Sequence, residues 1–341
     1  QQGVVYNGND GGVYRSEQNG ADGTWEHQPY QPWSQFFTLD VSPQDPLRVN
    51  GGVQDNGSLR TWGGAENEWN SYYGGDGVKN AINPKDKQNV FACSQYGACG
   101  RSDNGGDSMS DMTQTSARFG WLSPIEFQPG SADVMYWAGS EVNKSEDRGQ
   151  TWTSISPDLG EGDAGREINP LYAAHYGTVQ ALGLNKKKPN VIYAGTDNGL
   201  LWKTKDGGAN WTKLLSKSLP KRWVTHLEVK RNNPRVVYLT YSGYRQGDQS
   251  PYVLKSRDGG KTWKNITGNL PKAPVNDLLL VRKKLYLASD VGVFRSGVRG
   301  GKWLKVGSNL PLSPINDLRY VRKGRLLFAA TFGHGIFKAS I

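Results

Sequence analysis

The sequence is poor in the residues on which much enzyme chemistry depends. Its 341 residues include two cysteines, three methionines and four histidines, His27, His175, His226 and His334. The histidines show no metal-ligand spacing, so no metal centre is expected. The glycine pairs match neither a phosphate-loop nor a dinucleotide fingerprint, so no cofactor is expected either. No run of eighteen apolar residues occurs, which excludes a membrane-spanning helix. Gln1 opens the chain without a basic and apolar leader, so any export signal is expected to have been removed or never to have been there, and a secreted or extracytoplasmic location is expected. Acidic residues are scarce in one half only. Residues 1–170 hold 11 Lys and Arg against 23 Asp and Glu, whereas residues 171–341 hold 30 against 8. The net charge of +10 therefore conceals a two-sided molecule.

What is abundant is glycine, at 44, and tryptophan, at 12. Many tight turns with a few large aromatic anchors describe short strands rather than long helices, so an all-β chain is expected. Cys93 and Cys99 sit in "FACSQYGACGRS", which reads as a hairpin turning near Tyr96 and Gly97. A cross-strand disulfide and a pair of unpaired thiols are both compatible with that hairpin.

The octet "SRDGGKTW" from Ser256 recurs as "SEDRGQTW" from Ser145, "TKDGGANW" from Thr204 and "SGVRGGKW" from Ser296, with looser versions from Ser16 and Ser102. A motif used this often is scaffold, not one active site. Asp147, Asp206 and Asp258 with the neighbouring hydroxyls can hold backbone amides, and glycine takes the positive φ that closes the bend. Trp152, Trp211, Trp263 and Trp303 then anchor each unit by burial. Alternating strands precede each octet, as in "VQALGLNKKKPNVIYAGTDNGLLWK" and "DLLLVRKKLYLASDVGVFRS". Each unit reads as strands A, B and C, the octet, then strand D, over roughly 40 to 60 residues, which is propeller-blade length. Inner strands starting near Gln35, Gly77, Trp121, Thr178, Val224, Val275 and Ile315 give seven four-stranded antiparallel blades in a single domain spanning 1–341. Eight blades, or a portion of a larger wheel, is the alternative. The N-terminal strands have no A strand and the last unit has no D strand, so pairing of the two ends is one expected means of closure.

These octets resemble the Asp-box (BNR) repeats of the sialidase-like propeller superfamily. "GGVQDNGS", "YAGTDNGLLWKTKDGGANW" and "ATFGHGIFK" look most like secreted bacterial BNR-repeat and sortilin-type propeller proteins. "NDGGVYRS" from Asn9 more weakly resembles a stretch of xyloglucan-degrading Asp-box glycosidases that carries a catalytic aspartate, here Asp10. The sialidase activity implied by the superfamily would need an Arg-Ile-Pro segment, and the chain has none.

In this architecture the B–C and D–A connections surround one end of the axis. They carry Tyr72, Tyr73, Arg118, Trp121, His175, Tyr176, Trp223, His226, Tyr244 and Arg245, with Trp33 and Tyr96 nearby. Aromatic planes mixed with charged groups suit a glycan or protein ligand, and equally suit the filling of gaps between sheets. Asp76 in "GGDG" and Asp10 are the candidate carboxyl pair for glycoside hydrolysis. Asp55, Asp197 and Asp290 share the B–C position of Asp10 in other units, which favours a turn role there. The A–B turns of the last four units gather lysine and arginine at the other end, a surface for an anionic partner. Nucleic acid is disfavoured because no aromatics interleave with these basic residues. Binding is the expected function, hydrolysis the alternative, and assembly through the charge-polarised rim, including self-association, a third reading.

Overall fold

The computed structural model describes residues 3–9, 12–28, 34–63, 68–112, 115–162 and 176–341. Among them lie eight antiparallel sheets, six of four strands and two of three. Seven sheets have innermost A strands at Phe36–Val41, Lys79–Ile82, Ile125–Phe127, Val179–Leu184, Trp223–Val229, Val275–Val281 and Ile315–Val321. All seven A strands line one axial cavity of about 720 Å³, so the sheets are wedges around a common hub. This is a β-propeller, and among the described residues seven sheets stand on the axis as its blades, numbered here in chain order.

The seams between blades show why the ring closes. Five A strands carry a β-bulge, at Phe37, Gln180, Thr225, Asn276 and Asn316. A bulge inserts an extra residue and re-aims its side chain. In three of the five it lets that residue hydrogen-bond the next blade. Thr225 Oγ1 donates to Val275 O at 3.0 Å, Asn276 Nδ2 to Ile315 O at 3.0 Å, and Asn316 Nδ2 to Phe36 O at 2.9 Å. The following residue adds a second stitch: Asp277 accepts the Leu318 amide at 2.8 Å and Asp317 accepts the Leu39 amide at 3.1 Å. The seventh blade thus grips the first as the sixth grips the seventh. Apolar packing follows the same order. Buried side chains interdigitate between blades two and three, three and four, four and five, five and six, six and seven, and seven and one.

The seam between blades one and two is different in kind. Backbone meets backbone there: a Cβ on Gly52 would lie 2.2 Å from Gly77 O, so glycine is required. Below it Asn50, Tyr72 and Asn80 form a buried chain of hydrogen bonds. Lower still the fully buried Arg48 stacks on Trp62 at 3.2 Å and donates to Gly105 O at 2.8 Å. Burial, and then repulsion from Arg60, push the Arg48 guanidinium down to about 10.

The octets fold as read. In each of the three full copies the hydroxyl lies 2.7 to 2.8 Å from its aspartate, from Ser145 to Asp147, Thr204 to Asp206 and Ser256 to Asp258. The same hydroxyl accepts the amide of Gly149, Gly208 or Gly260, all at positive φ. Burial nudges the Asp147 carboxyl up, but bonds from Thr151, Ser145 and Gln150 outweigh it and bring it down to about 2. Trp263 and Trp303 are buried, while Trp152 and Trp211 are half-buried between blades. The octet also braces the A–B turn of its own blade. Gly207 donates to Asn190 O at 3.0 Å and Gly259 to Arg235 O at 2.9 Å, which fixes both connections at one end of the wheel.

Two points depart from expectation or decide it. The N-terminal strands, Val5–Asn9, Gly12–Ser16 and Glu26–His27, pair with one another as a separate sheet and do not complete blade seven. Closure uses the blade-seven stitches instead, with Gln35 bridging Phe332. Cys93 and Cys99 face each other across the hairpin and are joined by a disulfide, both buried.

Candidate functional site

The axial cavity is the site the fold builds. Its walls are A-strand side chains, with Tyr244, Arg245, Asp290 and Phe332 of the B–C turns at one mouth and Pro43, Pro84 and Pro129 of the A–B turns at the other. At the B–C mouth Arg245 lies 3.9 Å over the Trp223 ring, and Tyr244 is 65% exposed. Asp290, beside them, accepts Asn276 Nδ2 at 2.8 Å, and burial raises its carboxyl above the usual range. The mouth therefore offers an aromatic plane, a stacked cation and an acid side by side.

Deeper in, a chain of charges crosses from blade five to blade two. Glu228 lies 3.9 Å from His226 Nε2, and His226 Nδ1 lies 2.6 Å from Asp277. Arg319 bridges Asp317 and Asp40, and Asp40 accepts the Ile82 amide at 2.7 Å. Burial alone would push His226 down. The Asp277 carboxylate, with Glu228 behind it, outweighs this and raises the imidazole to about 10, so His226 is a cation at neutral pH. Asp277 is correspondingly held far below the usual carboxylate range. Asp317 goes the other way: burial lifts it to about 6 despite Arg319 and Lys79.

The residues anticipated from sequence divide into three groups. Trp223, His226, Tyr244 and Arg245 are brought together on the cavity. Others serve as seams. Tyr72 hydrogen-bonds Asn50 and Asn80 between blades one and two, and Tyr73 reaches Asp111 at 3.2 Å. Arg118 spends its guanidinium on Tyr176 O, Gly177 O and Asp158 at 2.9 to 3.1 Å, tying blade three to blade four. The Tyr176 hydroxyl bonds Asp197 O, and Trp121 packs edge-on against Tyr96. Asp76 is 8% exposed; its carboxylate accepts the Asp55 amide at 2.6 Å, and its own amide donates to Gln95. It staples a B–C turn to the start of the next blade, whereas Asp197 ties the B–C turn of blade four to Thr178 at the start of the same blade, at 2.9 Å. Asp10, His175 and Trp33 lie outside the described residues.

Missed from the sequence were Asp40, Lys79, Glu228, Asp277, Asp317 and Arg319. A signal existed. "VNDLL" and "INDLR" repeat an Asn-Asp pair at the same place in two A strands, and polar residues inside an otherwise apolar inner strand mark the axis.

No protein-family model matches this chain, and no curated protein does. Solved structures do. The GH74 xyloglucanase from Xanthomonas campestris superposes with a TM-score of 0.71 at 15% identity, over 90% of this chain and 52% of that one. YCF48 from Cyanidioschyzon merolae superposes with a TM-score of 0.67 at 11% identity, over 90% and 96% of the two chains. A structure of YCF48 bound to D1 peptide gives 0.61 at 12% identity, over 93% and 98%. The likeness at these identities is one of fold. This chain spans about half the length of the xyloglucanase and nearly the whole of YCF48.

Proposed function

We propose that this propeller is a binding module that seats an extended protein segment across the B–C mouth of its axis. The observation that carries the reading is the Trp223, Arg245 and Tyr244 cluster opening onto a 720 Å³ cavity. Aromatic and arginine side chains of this kind are the usual anchors of protein recognition. Peptide binding by a neighbour that matches this chain over almost its full length supports it. Hydrolysis is the weaker reading. A glycosidase needs one carboxyl free to donate a proton and a second to attack or activate water. Asp40, Asp277 and Asp317 each hold a backbone amide of an adjacent blade, and Asp76 holds a turn.

A glycan ligand is the second reading, favoured by the aromatic planes at the mouth and by the superposition on a xyloglucanase. The Cys93–Cys99 disulfide supports an oxidising, extracytoplasmic setting. The repeated hydroxyl-aspartate-glycine geometry supports the Asp-box reading of the octets. The test is a peptide array and a glycan array probed with the intact chain and with Tyr244→Ala and Trp223→Ala. Peptide capture weakened about tenfold or more by either substitution is expected. Glycan capture with silent peptides would replace the first reading by the second.

A further inference from the structure

The opposite end of the wheel carries an excess of positive charge that finds no ion-pair partner among the described residues. In blades one to three, basic side chains on or near that end find acids. Lys87 pairs with Asp45 at 2.9 Å, Arg101 with Asp103 at 2.6 Å, and Arg148 with Asp133 at 2.8 Å. In blades four to seven the supply of acids runs out. Residues 171–341 contain eight. Asp206 and Asp258 are consumed inside their octets, and Asp197 holds Thr178. Glu228 and Asp277 hold His226, Asp317 holds Arg319, Asp290 holds Asn276, and Asp248 holds Arg222 and Tyr252. Of the eight only Asp206 and Asp258 lie at this end, each hydrogen-bonded inside its octet, and the other six sit along the axis or at the B–C end.

The A–B turns of these blades present Lys186–Lys188, Arg231 with Arg235, and Arg282–Lys284, every one exposed. Among the described residues none has a carboxylate within ion-pair distance. The crowding is felt by their neighbours. Lys203, which donates to Gly259 O at 2.9 Å, has its ammonium pushed below the usual range by burial and then by Lys205 and Arg235. The turns are also held in place, because the octet amides of Gly207 and Gly259 bond their carbonyls.

We infer that this face docks on the surface of a bilayer containing anionic lipids. The field is broad, spans successive blades, and is set at one end of rigid strands, which suits an extended plane of headgroup charge. A polyanionic chain would instead need a groove with aromatic planes or sugar-matching donors and acceptors. The exposed residues of these turns are lysine, arginine, asparagine, proline and glycine. Contact is electrostatic, without insertion, and it leaves the B–C mouth facing away from the membrane.

The test is co-sedimentation of the intact chain with vesicles of phosphatidylcholine alone and with about 30% phosphatidylserine. Binding only to the anionic vesicles is expected, falling about tenfold or more between low and physiological salt. The quadruple variant K187E/K188E/K283E/K284E should lose it. K217E/K221E reverses the charge of two exposed lysines in the D–A loop at the opposite end, and should retain most of it. Far-UV circular dichroism of each variant confirms the fold. Equal binding to neutral vesicles, equal loss in the K217E/K221E variant, or capture of soluble acidic polysaccharide with no vesicle binding would overturn the inference. Peptide or glycan capture at the B–C mouth is read separately and does not bear on it.

Discussion

Replacing Asp277 by asparagine interrogates the axial network most directly. The carboxylate accepts the Leu318 amide of the next blade and sits 2.6 Å from His226 Nδ1. With the imidazole raised to about 10 in the folded chain, against about 6.5 when unfolded, protonation favours folding. The sign follows from linkage: a raised base stabilises fully below its unfolded pKa and loses that stabilisation as pH climbs to its folded one. At about 1.4 kcal/mol per pKa unit the contribution is about 4 kcal/mol at pH 7, about 3 at pH 8 and under 1 at pH 10. His226 keeps 24% of its side-chain surface open to the cavity, so solvent moderates these figures and they are upper values. Asparagine keeps an oxygen for Leu318 but turns an amide toward the ring and toward the Leu278 amide, which loses its acceptor, and His226 is left with Glu228 at 3.9 Å. The difference in unfolding free energy between wild type and Asp277→Asn, from urea titrations at several pH values, should fall by about 2–3 kcal/mol from pH 7 to pH 10, leaving a pH-independent remainder of about 1 kcal/mol from the Leu278 amide. Taking the difference removes lysine and tyrosine titrations common to both proteins. A constant difference across that range, or one below about 0.5 kcal/mol at pH 7, would refute the charged-pair account.

Asp258→Ala removes the acceptor of the Lys261 and Thr262 amides, and a loss of about 1–2 kcal/mol is expected in denaturant titrations. Gly260→Ala should cost at least as much, because its φ is +91° and the new Cβ would meet Leu214 at 2.5 Å. Reducing the Cys93–Cys99 bridge opens a short loop and should lower stability by about 2 kcal/mol, seen as a lower melting temperature in dithiothreitol. The seam between blades one and two buries Arg48 Nε and Nη1, Arg60 Nε, Asn50 Oδ1 and Asn80 Nδ2 without protein partners. Atoms of this kind call for internal water. Amides of Val49–Val53 and Lys79–Ile82 should therefore exchange with deuterium faster than those of Val275–Val281 and Ile315–Val321. Equal protection at both seams would count against a wet first seam.

The local chemistry of the chain was legible without coordinates. Ser256, Asp258, Gly260 and Trp263 close their turn using groups within eight residues, so spacing alone implies the bend, and its recurrence implies blades. The seven inner strands begin within four residues of the positions expected from alternation, because a half-buried strand needs period-two patterning whatever surrounds it. The excess of positive charge in residues 171–341 was equally plain.

What the sequence could not decide is which polar residue meets which. Asp76 lies between two glycines and Asp277 between Asn276 and Leu278, and neither setting announces that one caps a turn while the other holds a histidine from a different blade. Arg118 and Arg245 read alike, but the first is consumed by the carbonyls of Tyr176 and Gly177 and the second lies over Trp223 at the cavity mouth. These pairings join residues 21 to 59 positions apart. They exist only once neighbouring blades have packed, because packing brings separate strands around one axis and takes most of the surface of these polar groups out of solvent.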